Sequence, residues 1–293
     1  MAPLFQLPTS GLLQLCYRAT TGPNQAVESV QPFSHIDHTT HGTELSCKKC
    51  QMFYETYIDL NPTQTQLLTC ETQTQSHSQM WHDARMLRLT ASTAKKVPKR
   101  LKTDPEKFIR EHLYPTFMGN TATRAGQAYE EKAIQMLEER GNLVERKGLI
   151  LHPEHPWFGA SPDGVLNQKQ LVEVKSPQGS LTEFLQRPRG DVRPLHDGPM
   201  DGGQFHLALN GQGGYYQQIQ LTMLCTGLES CKLLIWTPSE SLELDVPFDK
   251  DYAEKEMHRL QGFYFMHMLP RLVDDFLARK IKLCLRYLEL VKS

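Results

Sequence analysis

The 293-residue chain has no excess of charge of either sign, no long apolar run and no ordered set of cysteines. Its 32 Lys and Arg stand against 33 Asp and Glu, a formal net charge of −1, so nothing global marks a polyanion-binding protein. No run approaches the roughly 20 apolar residues that span a bilayer, and no membrane partner is expected. Residues 1–18 lack the basic start and long apolar core of a secretory signal. The seven cysteines are odd in number and scattered, which suits an intracellular, reducing compartment. Cys225, Cys231 and Cys284 do not have the spacing of an iron–sulfur cluster. Cys47-x2-Cys50 with His35, His38 and His41 upstream is an incomplete zinc pattern, open between a metal site and a chance grouping. No motif marks a covalent nucleophile, and no segment reads as a base-reading element.

What the chain does have is a polar signature inside apolar segments. Ser161-Pro162-Asp163-Gly164 is followed nine residues later by Glu173-Val174-Lys175. Pro-Asp-Gly is turn chemistry, and Leu171 to Lys175 reads as a buried strand. Alternation along a strand puts Glu173 and Lys175 on one face. A buried carboxylate or ammonium is costly unless paired or bound to metal, so convergence of Asp163, Glu173 and Lys175 would suit a divalent cation beside a poised lysine. An ordinary Glu–Lys pair on an edge strand is the alternative. Gly126, Glu130, Ala133 and Leu137 recur at helical spacing, placing Glu130 on an apolar face; it would serve the same cluster or pair with an arginine. Gln218 shares a helical face with Tyr215, Leu221 and Cys225. It could orient a water or cap a neighbouring loop.

The coarse order is a helix over 121–140, strands over 143–151, 158–166 and 171–175, a long loop, a helix over 215–226 and a strand over 231–237. The polar tract 1–76, with its Thr-Gln repeats, reads as a partly flexible arm containing one helix over 48–60. Residues 277–293 read as a C-terminal amphipathic helix with exposed leucines, which leaves 77–276 as the main domain. Between Trp81 and His112 nine Lys/Arg face four Asp/Glu, a local patch able to grip a nucleic-acid backbone without reading bases.

Helix, three strands, helix, strand is the order of a restriction-endonuclease-like core: an α/β (α+β) fold with a mixed sheet flanked by helices, here with extra N- and C-terminal helices. Trp81-His82-Asp83-Ala84-Arg85 and Arg88-Leu89-Thr90-Ala91-Ser92, followed in order by Gly126 to Glu130, Ser161 to Gly164, Glu173 to Lys175 and Gln218-Ile219-Gln220, resemble the YqaJ-type viral recombinase, lambda-exonuclease-like family of PD-(D/E)xK nucleases. The resemblance implies an Mg²⁺-dependent deoxyribonuclease, with Mn²⁺ as a substitute, that degrades one strand of duplex DNA from 5′ ends in recombination, repair or viral DNA processing. It assigns metal binding to Asp163, Glu173 and the main-chain carbonyl of Val174, with Glu130 completing the cluster. Lys175 and Gln218 would lie beside the attacking water, Lys175 as base or as charge stabiliser. Arg85, Ser92 and Ser161 would grip the terminal 5′-phosphate. Implied partners are double-stranded DNA ends, further copies of the chain (a trimer, by analogy) and a single-strand annealing protein, in the nucleus if the source is eukaryotic. The competing readings are a catalytically silent domain that binds DNA or a recombination partner, and a structure-directed endonuclease. The insertion 178–214 departs from the family pattern and leaves substrate gating open.

Overall fold

The computed structural model describes residues 47–100, 102–115, 121–195 and 204–293. The arm up to residue 46 and the His35, His38 and His41 grouping lie outside them. Helices α1 (Lys48–Tyr57), α2 (Pro62–Glu71) and α3 (Gln79–Met86) lead into β1 (Leu89–Thr90), α4 (Glu106–Leu113) and α5 (Thr121–Glu139). There follow β2 (Val144–Glu145), β3 (Ile150–Leu151), β4 (Phe158–Ala160), β5 (Gly164–Leu166) and β6 (Gln170–Lys175). After α6 (Leu181–Leu185), β7 (Val192–Pro194) and β8 (Phe205–Leu207) come α7 (Tyr215–Thr226), β9 (Ser230–Trp236) and β10 (Ser241–Pro247). Helices α8 (Lys250–Phe263), α9 (Leu269–Leu277) and α10 (Leu285–Leu290) close the chain. The π-helical turn Tyr264–Met268 joins α8 to α9 without a break, and Pro270 follows it, where the local widening accommodates a residue without an N–H.

The strands expected over 143–151 and 158–166 are each divided between two sheets. The strands β2, β5, β6, β9 and β10 form one five-stranded sheet in the order β10-β9-β6-β5-β2, whereas β3 and β4 join β1 in a second. Pro162 explains the second break, because proline brings no N–H to a ladder. Ser161, Pro162 and Asp163 therefore form the step between sheets, and Asp163 opens onto the central strand instead of pairing within one.

Two layers cover the large sheet. On one face Ala133, Ile134 and Leu137 of α5 cluster with Val172, Val174 and Leu234. On the other, Ile219 and Met223 of α7 cluster with Leu171, Leu233 and Ile235. Alternation along β6 thus turns Glu173 and Lys175, with Leu171, toward α7. The pair β6 and β9 is parallel and needs a crossover; it is supplied by α6, the β7–β8 hairpin and α7. The 178–214 loop is accordingly structured in part.

The expected loose arm is not what residues 48–76 form. Phe53, Tyr54, Tyr57, Ile58 and Leu68 belong to the largest apolar cluster, together with Tyr264, Phe265, Tyr287 and Leu290. The Thr-Gln repeats misled because glutamine here serves as a donor to backbone carbonyls. Asn61 and Gln64 form a capping box at α2, and Gln64 Nε2 also donates to the Leu290 carbonyl (3.0 Å). Gln75 Nε2 donates to the Lys147 and Pro162 carbonyls (3.1 and 3.0 Å), tying this region to the step before Asp163. The C-terminal helix is shorter than expected: Leu285–Leu290, with Tyr287 and Leu290 buried and Leu285 exposed.

Candidate active site

The β5–β6 hairpin carries the charged cluster. Its turn places Asn167 and Gln168 in the left-handed region (φ +50° and +59°), the backbone twist that joins antiparallel strands tightly. Gly164 is required by close approach, since a Cβ there would meet Val144 Cγ1 at 2.6 Å. The hairpin register then sets Asp163 beside the middle of β6, where its Oδ2 accepts the Val174 N–H at 2.7 Å.

Glu173 is buried, at 3% exposure. Its Oε1 accepts from Lys175 Nζ (2.5 Å) and from Gln218 Nε2 (2.6 Å). Gln218 Oε1 accepts in turn from Lys175 Nζ at 3.3 Å. Gln218 therefore belongs to the cluster and is not a loop cap. Glu130 reaches in from the α5 layer. Arg146, a residue that sequence reading did not single out, donates from one nitrogen to Glu130 Oε1 and to the Asp163 carbonyl, both at 3.0 Å. Its other nitrogen pairs with the exposed Glu131 at 2.7 Å.

These contacts shift the titrating groups in consistent directions. Burial, reinforced by the negative charges of Glu173 and Glu130, pushes the Asp163 carboxyl well above the ordinary aspartate range; Lys175 and the Val174 N–H oppose this only in part. Burial also raises Glu130 against the opposing effect of Arg146. Burial alone would lower Lys175, but the carboxylates of Glu173 and Asp163 outweigh it and hold the ammonium above the usual lysine range. The site carries more carboxylate than its cations neutralise, which is the electrostatic character of a cation-binding cluster.

The donor set fits a hard divalent cation. Asp163 Oδ1 and Glu173 Oε2 accept no hydrogen bond from the described residues, so each carboxylate keeps an oxygen free. Among the described residues no three His, Cys, Asp or Glu side chains are gathered closely enough to enclose an ion by themselves. Mg²⁺ is commonly bound through one or two carboxylates with waters completing its shell.

The three residues expected to hold a phosphate are linked into one surface, and the link is Trp81. The Arg85 guanidinium lies over the Trp81 ring, 4.1 Å from its centroid, and donates to Ser92 Oγ at 3.0 Å. The Trp81 indole N–H donates to Ser161 Oγ at 2.8 Å. No carboxylate among the described residues pairs with Arg85, and burial lowers its pKa to about 10. Trp81 stands in the recognised signature, but nothing in a one-dimensional pattern signals its bridging role. The expected basic patch needs one correction. Arg88 is fully buried and hydrogen-bonded to carbonyls, so it is closed to DNA.

The profile of the YqaJ-like viral recombinase domain matches residues 80–229, half of the chain. No curated protein matches its sequence. Among solved structures, the chain is similar to the alkaline exonuclease LHK-Exo from Laribacter hongkongensis. Its complex with dAMP superposes with a TM-score of 0.50 at 23% identity, covering 69% of this chain and 97% of that one. A phage-related exonuclease from Haemophilus somnus 129PT aligns at 15% identity over 65% of this chain and 96% of that one, TM-score 0.44. With the LHK-Exo likeness, the restriction-endonuclease-like core expected from the element order is the fold observed. The match of half the chain to the family profile, on this fold, makes the chain a member of the YqaJ-like viral recombinase domain family.

Proposed function

We propose that the protein is a metal-dependent deoxyribonuclease that hydrolyses one strand of duplex DNA from a 5′ end. The observation that carries this reading is the adjacency of two devices. The Arg85–Trp81–Ser161 chain ends at Ser161, two residues before Asp163 of the carboxylate cluster. A terminal phosphate bound by the first would hold the following phosphodiester near the second. The nuclease unit is assigned to residues 77–276, with 48–76 and 277–293 packed onto it.

In the proposed reaction, Arg85 presents a planar set of donors to two phosphate oxygens, while Ser92 and Ser161 supply hydroxyls on either side. Stacking on Trp81 fixes the guanidinium plane before substrate arrives, so little rotamer freedom is lost on binding. Asp163, Glu173 and the Val174 carbonyl would hold Mg²⁺, with Glu130 alongside. A bound divalent cation would supply charge neutralisation and an activated water. Lys175, whose Nζ bonds Glu173 Oε1, would act on the attacking water as base or on the phosphate as charge stabiliser. Gln218, fixed between Glu173 and Lys175, orients both groups and offers its amide to a water.

Arg85→Ala tests the polarity device separately from the carboxylates. Wild type is expected to digest 5′-phosphorylated duplex faster than 5′-hydroxyl duplex. The variant is expected to lose that preference, with a deficit of about 10–100-fold on phosphorylated ends only, corresponding to charge-assisted bonds of roughly 1.5–3 kcal/mol. Calorimetric Mg²⁺ binding should remain. Equal wild-type rates on the two ends, or attack from 3′ ends, would refute the pocket.

A further inference from the structure

A second cationic site lies beyond the terminal-phosphate surface. Lys95, Lys99, Arg189 and Tyr252 line an open cavity of about 370 Å³ together with Gly211, Gly214 and Gln217. It sits at the start of α7, one turn before Gln218, and three residues along the chain from Ser92. It thus adjoins both halves of the site without sharing a residue with them.

Three features show that the cavity is shaped around its cations. Gly214 is left-handed (φ +76°), and a Cβ there would strike Lys95 Cδ at 2.3 Å. Only glycine lets the lysine stem lie against the helix start. Arg189 is itself held in the left-handed region (φ +57°), uncommon for a residue with a side chain. Its carbonyl accepts the Gln212 N–H at 3.0 Å, which pins that conformation and sets Arg189 at the cavity edge. Backbone strain of this kind persists where the surroundings enforce it, and it concentrates at ligand sites. Asp191, buried at 4% exposure, accepts the Gly213 and Tyr215 N–H groups at 2.5 and 2.9 Å and fixes the whole turn.

The cations have little to do within the protein. Lys95 Nζ makes a long bond, 3.4 Å to the Gly211 carbonyl. No carboxylate among the described residues pairs with Lys95, Lys99 or Arg189. Glu256 stands nearby, but its carboxylate is shared between Gln217 and Arg259. The Asp191 carboxylate occupies the Gly213 and Tyr215 N–H groups at the start of α7, so the positive charge of the cavity comes from the three side chains. Two ammonium groups and a guanidinium around one cavity match the charge of a phosphate.

We propose that this cavity binds an internal phosphodiester of the DNA backbone, distinct from the terminal phosphate at Arg85. The inference rests on the nuclease reading above. A second phosphate grip would hold the duplex against the site through successive turnovers and confer affinity without sequence preference.

The test is DNA binding by fluorescence anisotropy in EDTA, from low salt to about 0.5 M. It compares wild type, the triple variant Lys95→Gln/Lys99→Gln/Arg189→Gln, and a charge-matched control, Lys132→Gln/Lys169→Gln/Lys292→Gln. Thermal melts verify that each folds. Loss of one phosphate contact should flatten the slope of log K against log salt by about 0.9, equivalent to roughly eightfold weaker binding at about 0.1 M salt. The flattening should be the same on 5′-phosphate and 5′-hydroxyl duplexes and absent from the control. A charge-retaining variant, Lys95→Arg/Arg189→Lys, should recover most of the slope. An unchanged slope, equal flattening in the control, or an effect confined to 5′-phosphorylated ends would overturn the inference and leave the nuclease reading intact. Failure of wild type to bind DNA at all would overturn both.

Discussion

Asp163→Asn is expected to make the metal-free protein more stable while abolishing nuclease activity. Asparagine keeps an oxygen to accept the Val174 N–H but removes a charge from a cluster that repels it. The Asp163 carboxyl is raised well above its ordinary value, chiefly by burial and then by Glu173 and Glu130. A carboxyl whose pKa is higher in the folded than in the unfolded chain favours folding while it is protonated. That contribution is fully present below the unfolded pKa and is lost as pH rises through the folded one. In EDTA the variant should therefore melt above wild type at neutral pH, and the gap should close as pH falls and Asp163 takes up its proton. Turnover should drop by about 10²–10³-fold or more, the scale seen when one group that stabilises developing charge is removed. Mg²⁺ should raise the melting temperature of wild type but not of the variant. Glu173→Gln should lose activity similarly. It leaves Lys175 without its closest counter-charge, so its stability gain should be smaller or absent. Melting curves with and without EDTA separate these outcomes. A lower melting temperature for Asp163→Asn at neutral pH would mean that the carboxylate is structurally needed.

The largest effect on folding should come from Arg88. Its guanidinium is fully buried and donates to the carbonyls of Pro156 (2.7 Å), Ala84 (3.1 Å) and Ile58 (2.8 Å) and to the Tyr287 hydroxyl (2.8 Å). One side chain thus joins the end of α1, α3, the turn before β4 and α10. Tyr287 completes the set by donating to the Tyr57 carbonyl at 2.7 Å. Arg88→Leu would fill much of the volume but leave the buried Pro156 and Ala84 carbonyls and the Tyr287 hydroxyl without their donor, while the Ile58 carbonyl keeps the Leu60 N–H at 3.0 Å. At roughly 1–3 kcal/mol for each orphaned group, the expected loss is on the order of 4 kcal/mol or more, a large part of the 5–15 kcal/mol typical of a domain. Urea unfolding measures it directly. A loss below about 1 kcal/mol would mean that water or neighbouring donors replace the guanidinium.

How far the sequence could be read depended on the range of the interaction. Glu173 and Lys175 follow from alternation over three residues, and Gln218 from a helical face, so both were legible. The helix 121–139 was found almost to the residue because its small and apolar positions repeat at four, three and four. The division of 158–166 between two sheets was not legible, although its cause, Pro162, is a local one; a strand read by hydropathy does not report its partners. Residues 48–76 read as loose because Thr and Gln dominate them. Their packing depends on Phe53, Tyr57 and Leu68 meeting Tyr287 and Leu290 some 220 residues away. Arg146 and Asp191 escaped for the same reason. Each acts on groups 16 to 24 residues distant, through contacts that leave no periodic trace.

Metal-dependent hydrolysis from DNA ends by the Asp163–Glu173 cluster requires both an end and a cation. The most direct test is incubation of purified protein with 5′-phosphorylated linear duplex and with closed circular duplex of the same sequence, each with Mg²⁺ or with EDTA. Linear DNA with Mg²⁺ should be converted to mononucleotides and single strands, while circular DNA, and both substrates in EDTA, should stay intact. Cleavage of the circle, or digestion of the linear form in EDTA, would contradict that requirement.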